Sequence, residues 1–105
     1  MIVRIWHGRT RRERADEYGA FLTLRAIPDY RDIAGNLDVA ILRRDEGEVS
    51  HFLTVTRWES EHAIREFAGD DVLKAKYYAE DKDFLLDFEP EVQHYTVVAR
   101  ASSET

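Results

Sequence analysis

Histidine, tryptophan and arginine side chains on extended segments are the residues of this sequence that could carry chemistry. His94 lies in a segment near the end of the chain, Trp58 ends another, and Arg4 and Trp6 share one face of a third. A neutral imidazole can take a proton from a phenol, so we interpret His94 as a candidate general base. The alternative is a histidine that is simply hydrogen-bonded on a strand.

The aromatic and arginine side chains could line a binding pocket. Trp58 offers a broad ring and an indole N–H for a substrate oxygen, or it plugs the space between a helix and a sheet. Arg4 could hold an anionic oxygen, or stack on Trp6 as a cation–π pair. Phe67, on the helix after Trp58, would complete an apolar wall.

Metal ligands are poorly represented in this sequence. It contains no cysteine, which excludes disulfides, thiolate nucleophiles and cysteine-based metal sites. The four histidines show neither His-x-His nor His-Glu-x-x-His spacing: they are His7, His51, His62 and His94. We therefore predict no metal site.

The composition is that of one folded domain. The 105 residues are 44% hydrophobic and 34% charged, which suits a single domain over residues 1–100 followed by a polar tail at residues 101–105. The net charge of -6 opposes nucleic-acid binding. The N-terminus lacks the features of a signal peptide, and no apolar run is long enough for a membrane span. We expect a cytoplasmic protein without a membrane partner.

The first part of the chain reads as a strand, a helix and a second strand. Ile2 to His7 predicts a strand that Gly8 ends. Thr10 and Glu13 fit a capping box, and Pro28 should close the helix that follows. Leu37 to Arg44 alternates as a strand does. The apolar stripe of the helix consists of Ala15, Tyr18, Leu22 and Ala26.

The second part reads as a strand, helical segments and a last strand. A turn at residues 45–48, with Gly47 at positive φ, leads into a strand from Val49 to Trp58. Ser60 and Gly69 are placed to cap a helix at its two ends. Asp70 should cap a short helix through residues 72–79, and Val92 to Ala99 predicts the last strand.

This order of elements is that of the ferredoxin-like α+β fold, a split βαβ arrangement with an antiparallel four-stranded sheet. The strands carry apolar residues on both faces: Leu53 and Val55 alternate with Phe52, Thr54 and Thr56. Because helices cover only one face, we predict a homodimer that buries the other face against a second copy.

The run from Trp58 to Asp70, together with residues 75–78 and 89–95, resembles the antibiotic biosynthesis monooxygenase family. The order and spacing of elements match from Ile2 to about Ala99. The resemblance implies a dimeric α+β barrel, in which each protomer keeps a small pocket between its sheet and its helices. It implies activities that range from oxidation of phenolic substrates by molecular oxygen, without metal or flavin, to haem degradation.

The haem-degrading members use an asparagine on the first strand, a tryptophan at the end of the third, and a histidine in the next helix. Here only the tryptophan matches, as Trp58. The first strand has no asparagine, the helix position holds Ala68 and Gly69, and His62 lies too early. Haem degradation is disfavoured because the axial ligand is missing.

These observations lead to hypotheses of different classes. The first is a cofactor-independent monooxygenase acting on a small aromatic substrate such as a phenol or quinol, with His94 as base, Trp58, Trp6 and Phe67 around the substrate, and Arg4 near its oxygen. The second is a non-catalytic dimer of the same fold that binds a small molecule. The third is haem binding without degradation.

Overall fold

Long antiparallel strands build the sheet of this protein. The structure, a computed structural model, describes residues 1–103, and in these the chain forms β1 (Ile2–Arg11), β2 (Asn36–Glu46), β3 (Val49–Trp58) and β4 (Gln93–Thr96). The strands lie in the order β2-β3-β1-β4, and every neighbouring pair is antiparallel. This is the ferredoxin-like arrangement, so the predicted α+β fold is confirmed.

Helices cover one face of the sheet. They are α1 (Ala15–Phe21), α2 (Ile27–Arg31) and α3 (Glu61–Ala68), with short 3-10 turns at Arg12–Arg14 and Ala79–Asp83. The core between the two layers is rich in aromatic residues, among them Trp6, Tyr18, Tyr30, Phe52, Trp58 and Phe67. Those on the sheet share even numbers, because successive side chains of a strand point to opposite faces.

The first helix begins later than the sequence predicts, at Ala15 after a 3-10 turn. Thr10 belongs to β1, where it pairs with Ser50, and its hydroxyl donates to the carbonyl of Arg11 at 3.0 Å. Gly8 does not end the strand either. An added Cβ there would lie 2.5 Å from the Trp6 ring, so the glycine makes room for that ring within the strand.

Pro28 does not close the first helix. A π-helical turn (Leu22–Ala26) lies before it, in which the N–H of Ile27 bonds to the carbonyl of Leu22 five residues earlier. Pro28 then falls in the first turn of α2, where a missing N–H costs little. The helical run therefore continues to Arg31, with one extra residue inserted.

The caps of α3 are as predicted, while the hairpin turn is shorter than residues 45–48, because Asp45 and Glu46 belong to β2 and Glu46 pairs with Val49. Gly47 has φ 60° at the turn, and Gly69 has φ 85° after the last residue of α3. The hydroxyl of Ser60 accepts a hydrogen bond from the N–H of Ala63 at 3.2 Å. This capping fixes the start of α3 at Glu61, three residues after Trp58.

The predicted helix at residues 72–79 does not form. Residues 70–78 are irregular, and we call them the covering segment. Its backbone bonds mainly to the chain before β4: Ala75 N–H donates to the Pro90 carbonyl at 2.9 Å, and Val92 N–H donates to the Leu73 carbonyl at 2.8 Å. One bond lies within the segment, from Lys74 N–H to the Asp71 carbonyl at 3.0 Å. The last strand is shorter than the predicted Val92 to Ala99, since β4 runs from Gln93 to Thr96.

The end of the chain adds no regular structure in the part that is described. Residues 101–103 are exposed, and residues 104 and 105 of the predicted tail lie outside the described residues. Within residues 1–103, no helix has the length and apolar character needed to cross a membrane.

Candidate functional site

A buried arginine is the most unusual feature of the interior. Arg4 is 1% exposed, although the ion pairs found within residues 1–103 do not include it. Its Nη2 donates to the carbonyl of Lys74 at 3.1 Å, and its buried Nε has no hydrogen-bond partner among the described residues. A buried cation without a carboxylate is costly unless an anion accompanies it.

Two aromatic rings lie beside Arg4. Its guanidinium carbon is 5.5 Å from the centre of the Phe67 ring, so the cation–π contact is with Phe67 and not with Trp6. Burial lowers the pKa of Arg4, while Tyr30 opposes that shift. An arginine keeps its charge in proteins, so Arg4 presents a positive charge to the interior.

His94 faces the same region from the neighbouring strand. It stands opposite Arg4 in the pairing of β1 with β4, and its buried Nε2 has no hydrogen-bond partner within residues 1–103. Burial lowers the pKa of His94, and the positive charge of Arg4 lowers it further, against a smaller opposite effect of Glu61. His94 is therefore neutral near pH 7, as a general base must be.

The two tryptophans differ in what their N–H groups do. Trp58 is completely buried, and its indole N–H donates to Oγ1 of Thr56 at 2.8 Å. Trp6 is also buried, but its indole N–H has no partner among the described residues. Of the two indole N–H groups, only that of Trp6 is without a partner among the described residues, whereas Trp58 contributes its ring.

Tyr30 is a residue of this region that the sequence analysis missed. Its ring stacks on Phe67 with centres 4.2 Å apart and meets the edge of Trp58 at 6.2 Å. Burial raises the pKa of Tyr30 to about 12, although the charge of Arg4 pulls in the other direction. The signal was present, because Tyr30 continues the four-residue spacing of Leu22 and Ala26 beyond Pro28.

A buried carboxylate was also missed. Asp81 is 1% exposed; one of its oxygens accepts from the Tyr18 hydroxyl at 2.8 Å and the other accepts from the Tyr78 N–H at 2.6 Å. Burial raises the pKa of Asp81 despite these hydrogen bonds. No sequence motif marks this residue, since it lies among other acidic residues in a polar stretch.

The aromatic side chains fill the interior almost completely. A cavity of about 10 Å³ lies between helices and sheet, roughly the room that one water needs. It is lined by Trp6, Tyr18, Leu22, Ala26, Tyr30, Thr54, Lys76, Tyr78 and Asp81. The pocket implied by the family resemblance is therefore closed in this structure.

The other histidines lie outside this region. His7 and His51 stack on the outer face of the sheet, with His7 Nε2 and His51 Nδ1 2.9 Å apart, and His7 Nδ1 also bonds to Glu89. His62 is exposed on α3. No group of three or more His, Asp or Glu side chains within residues 1–103 is arranged to hold a metal ion.

Comparison with known proteins finds solved structures that are similar to this chain. Neither a family model nor a curated protein matches this chain. A Bacillus cereus protein named as an antibiotic biosynthesis monooxygenase matches with a TM-score of 0.66 and 15% identity, covering 97% of both chains. One from Nitrosomonas europaea matches with a TM-score of 0.67 and 13% identity, covering 94% of this chain and 100% of its own.

A third relative is the haem degrader MhuD of Mycobacterium tuberculosis, whose structure holds two haems in its active site. It matches with a TM-score of 0.65 and 20% identity, over 97% of this chain and 100% of its own. These likenesses confirm the predicted resemblance at the level of the fold. At such low identity they do not transfer an activity.

Proposed function

We propose that this protein, which has the fold of the antibiotic biosynthesis monooxygenases, oxidises a small aromatic substrate with molecular oxygen, without a metal or an organic cofactor. The observation that carries the proposal is the pairing of Arg4 with His94. A buried cation without a carboxylate, in contact with the Phe67 ring, stands directly opposite a half-buried neutral base. Such a pair suits a substrate that becomes an anion when it loses a proton.

The proposed reaction begins with proton transfer. The free nitrogen of His94 takes a proton from an acidic O–H or C–H of the substrate, and Arg4 holds the oxyanion that results. The anion then gives one electron to dioxygen, and the substrate radical combines with superoxide to form a C–O bond. The protonated His94 returns its proton to the peroxide anion, and loss of water from the resulting hydroperoxide leaves a carbonyl, so that CH₂ and O₂ become C=O and H₂O.

The aromatic residues have a supporting role in this proposal. Phe67 and Tyr30 lie beside Arg4 and would cover the face of a substrate ring, while Trp58 packs behind them. The unpartnered N–H of Trp6 could donate to a second oxygen of the substrate. These groups exclude water, which strengthens the attraction between Arg4 and an anion.

We also propose that the protein is a homodimer through its outer sheet face. This face carries half-buried or exposed apolar side chains on adjoining strands, namely Val3, Ile5, Ala40, Leu42, Leu53, Val55 and Tyr95. A Val55→Lys variant should be monomeric in light scattering. Leu24→Lys, at a residue that is 80% exposed on the helical side, is the control and should stay dimeric.

The ligand that the family resemblance assigns to haem is missing from this site. The expected histidine position is occupied by Ala68, the last residue of α3, and Gly69, which follows it, and neither side chain offers a ligand atom. His7 and His51 lie on the outer face, where their ring nitrogens are engaged with each other and with Glu89 and Glu46. Haem added to the protein should therefore give no Soret band beyond that of free haem.

The closed interior favours a second candidate function, binding of a small molecule without turnover. A cavity of about 10 Å³ admits no aromatic molecule unless the covering segment moves. In this case an aromatic anion would raise the melting temperature, but dioxygen would not be consumed. Turnover is thus the observation that separates the two candidates.

The test is oxygen consumption with a panel of phenols, quinols and anthrone-like ketones. We expect His94→Gln and Arg4→Met to lower kcat/KM by a factor of about 100 or more, as loss of a general base or an oxyanion partner does. His62→Gln, at an exposed histidine on α3, is the matched control and should retain activity. Equal activity in all three variants would exclude this site.

A further inference from the structure

The hydrogen bond between Arg4 and the covering segment is one that a bound ligand could replace. Arg4 Nη2 donates to the Lys74 carbonyl, which lies in the middle of residues 70–78. A carbonyl is neutral, and an oxyanion is a stronger partner for a guanidinium. A ligand that carries an oxyanion would therefore compete with Lys74 for the same N–H group.

The covering segment is held unevenly along its length. Tyr77 and Tyr78 are anchored, because their hydroxyls donate to Glu89 and Asp29 and the Tyr78 N–H donates to Asp81. Residues 70–76 are held by two backbone hydrogen bonds to the chain before β4, at Ala75 and at Leu73, by the bond from Lys74 N–H to the Asp71 carbonyl, and by that from Lys76 Nζ to the Phe67 carbonyl at 3.3 Å. The segment has no helix or strand of its own. Segments with so little internal bonding open at low free-energy cost compared with the core.

Two surface grooves border this segment. One, of about 480 Å³, is lined by Val72 and Leu73 together with Glu61 and the residues 92–95, which include His94. The other, of about 470 Å³, is lined by residues 65–69 of α3 and its end and by residues 74–76. The covering segment is the partition between these grooves, and Arg4 lies directly beneath it.

The second groove is suited to anions. Arg65, Lys74 and Lys76 give it three positive charges against one negative charge from Glu66, in a chain whose net charge is -6. Lys76 also lines the interior cavity, so it connects the groove with the interior. A small anion is attracted there and not to most of the remaining surface.

We infer that residues 70–76 of the covering segment are a latch over the site, held shut by Arg4 and released when an aromatic oxyanion from the groove at Lys76 replaces the Lys74 carbonyl on Arg4. This inference rests on the proposed function, because it concerns access to the same site. It restricts the ligand class to small aromatic molecules that carry a phenolate or carboxylate oxygen. Neutral aromatic molecules of equal size cannot make this exchange.

Hydrogen–deuterium exchange tests the latch without any turnover. In Arg4→Met, we expect peptides over residues 73–77 to exchange about tenfold faster, the effect of losing one charged hydrogen bond. Arg9→Met, on the same strand but at the outer face, is the control and should not change these peptides. Unchanged exchange in a folded Arg4→Met would contradict the inference.

A second arm uses the unmodified protein under argon, so that it does not depend on the folding of a variant. Salicylate should accelerate exchange of residues 73–77, and benzyl alcohol should not. No acceleration by salicylate, or equal acceleration by both compounds, would overturn the latch. If salicylate accelerates the exchange but oxygen is never consumed, the proposed oxidation is wrong and the latch is retained. If oxygen is consumed but salicylate does not change the exchange, the latch is wrong and the proposed oxidation is retained.

Discussion

Trp58 donates its indole N–H to the hydroxyl oxygen of Thr56, two positions earlier in the same strand. The hydroxyl of Thr56 in turn donates to the carbonyl of Arg4 at 3.3 Å on the neighbouring strand. The indole N–H of Trp58 therefore belongs to a chain of hydrogen bonds that links β3 to β1. The residue that looked most like a substrate donor in the sequence is bonded within the sheet, and the unpartnered indole is that of Trp6.

This difference predicts unequal effects of two matching substitutions. Trp58→Phe removes a hydrogen bond that Trp6→Phe does not, so it should lower the free energy of unfolding by about 1 to 2 kcal/mol more. Urea denaturation followed by circular dichroism measures both. Equal losses would mean that the bond to Thr56 contributes nothing to stability.

The titration of His94 should depend on Arg4. The pKa of His94 is lowered in the fold, so the folded protein favours the neutral imidazole. The contribution of His94 to the free energy of unfolding is therefore present above the ordinary pKa and is lost as the pH falls through the folded pKa. In NMR of the imidazole Cε1–H, the midpoint should lie below the ordinary value of 6.5. It should rise in Arg4→Met, since one lowering cause is removed, and stay in place in Arg9→Met. A midpoint that ignores Arg4 would argue against a shared site.

Asp81 should make the protein less stable as the pH rises. Its pKa is raised in the fold, so its contribution to stability is fully present below the ordinary value of 3.8 and is lost as the pH rises through the folded pKa. Asp81→Asn cannot ionise and should flatten this part of the pH profile. Unfolding free energies of both proteins between about pH 4 and pH 7 provide the comparison. Parallel profiles would show that another group is responsible.

Two glycines with positive φ should differ in their tolerance of alanine. At Gly35, with φ 93°, an added Cβ would lie 2.5 Å from the Cβ of Ala63; at Gly47, with φ 60°, it would meet nothing within 4 Å. We expect Gly47→Ala to cost about 1 kcal/mol from the backbone alone. Gly35→Ala should cost about 1 to 3 kcal/mol more, because α3 must shift. Thermal unfolding of both variants tests this order.

The parts of the fold that local chemistry determines were predictable. Ser60 and Gly69 bound α3 because a hydroxyl cap and a positive φ are properties of single residues. The strand from Val49 to Trp58 was predictable as well. Its apolar side chains, such as Phe52 and Leu53, alternate between two faces of the sheet that are both apolar. These signals need no knowledge of distant partners.

The remainder depends on contacts between residues far apart in the sequence. Gly8 stays in β1 because Trp6 and Leu85 lie over it, and residues 70–78 are irregular because they bond to the chain around Pro90. Parity along β1 predicts that Arg4 and Trp6 share one face, whereas the position of His94 opposite Arg4 depends on the register of β1 with β4. Tyr30 has the four-residue spacing of Leu22 and Ala26, but it lies beyond Pro28, where the sequence predicts the end of the helix.

The π-helical turn before Pro28 determines how the helix that follows is rotated about its axis. One residue more than an α-helix needs is accommodated there, and each residue turns a helix by about 100°. With that extra residue in place, Tyr30 packs against Trp58 and Phe67. Deleting one residue within Leu22–Ala26 would rotate the tyrosine away from the sheet, so chains with and without this insertion would have interiors of different shape under the same outer form.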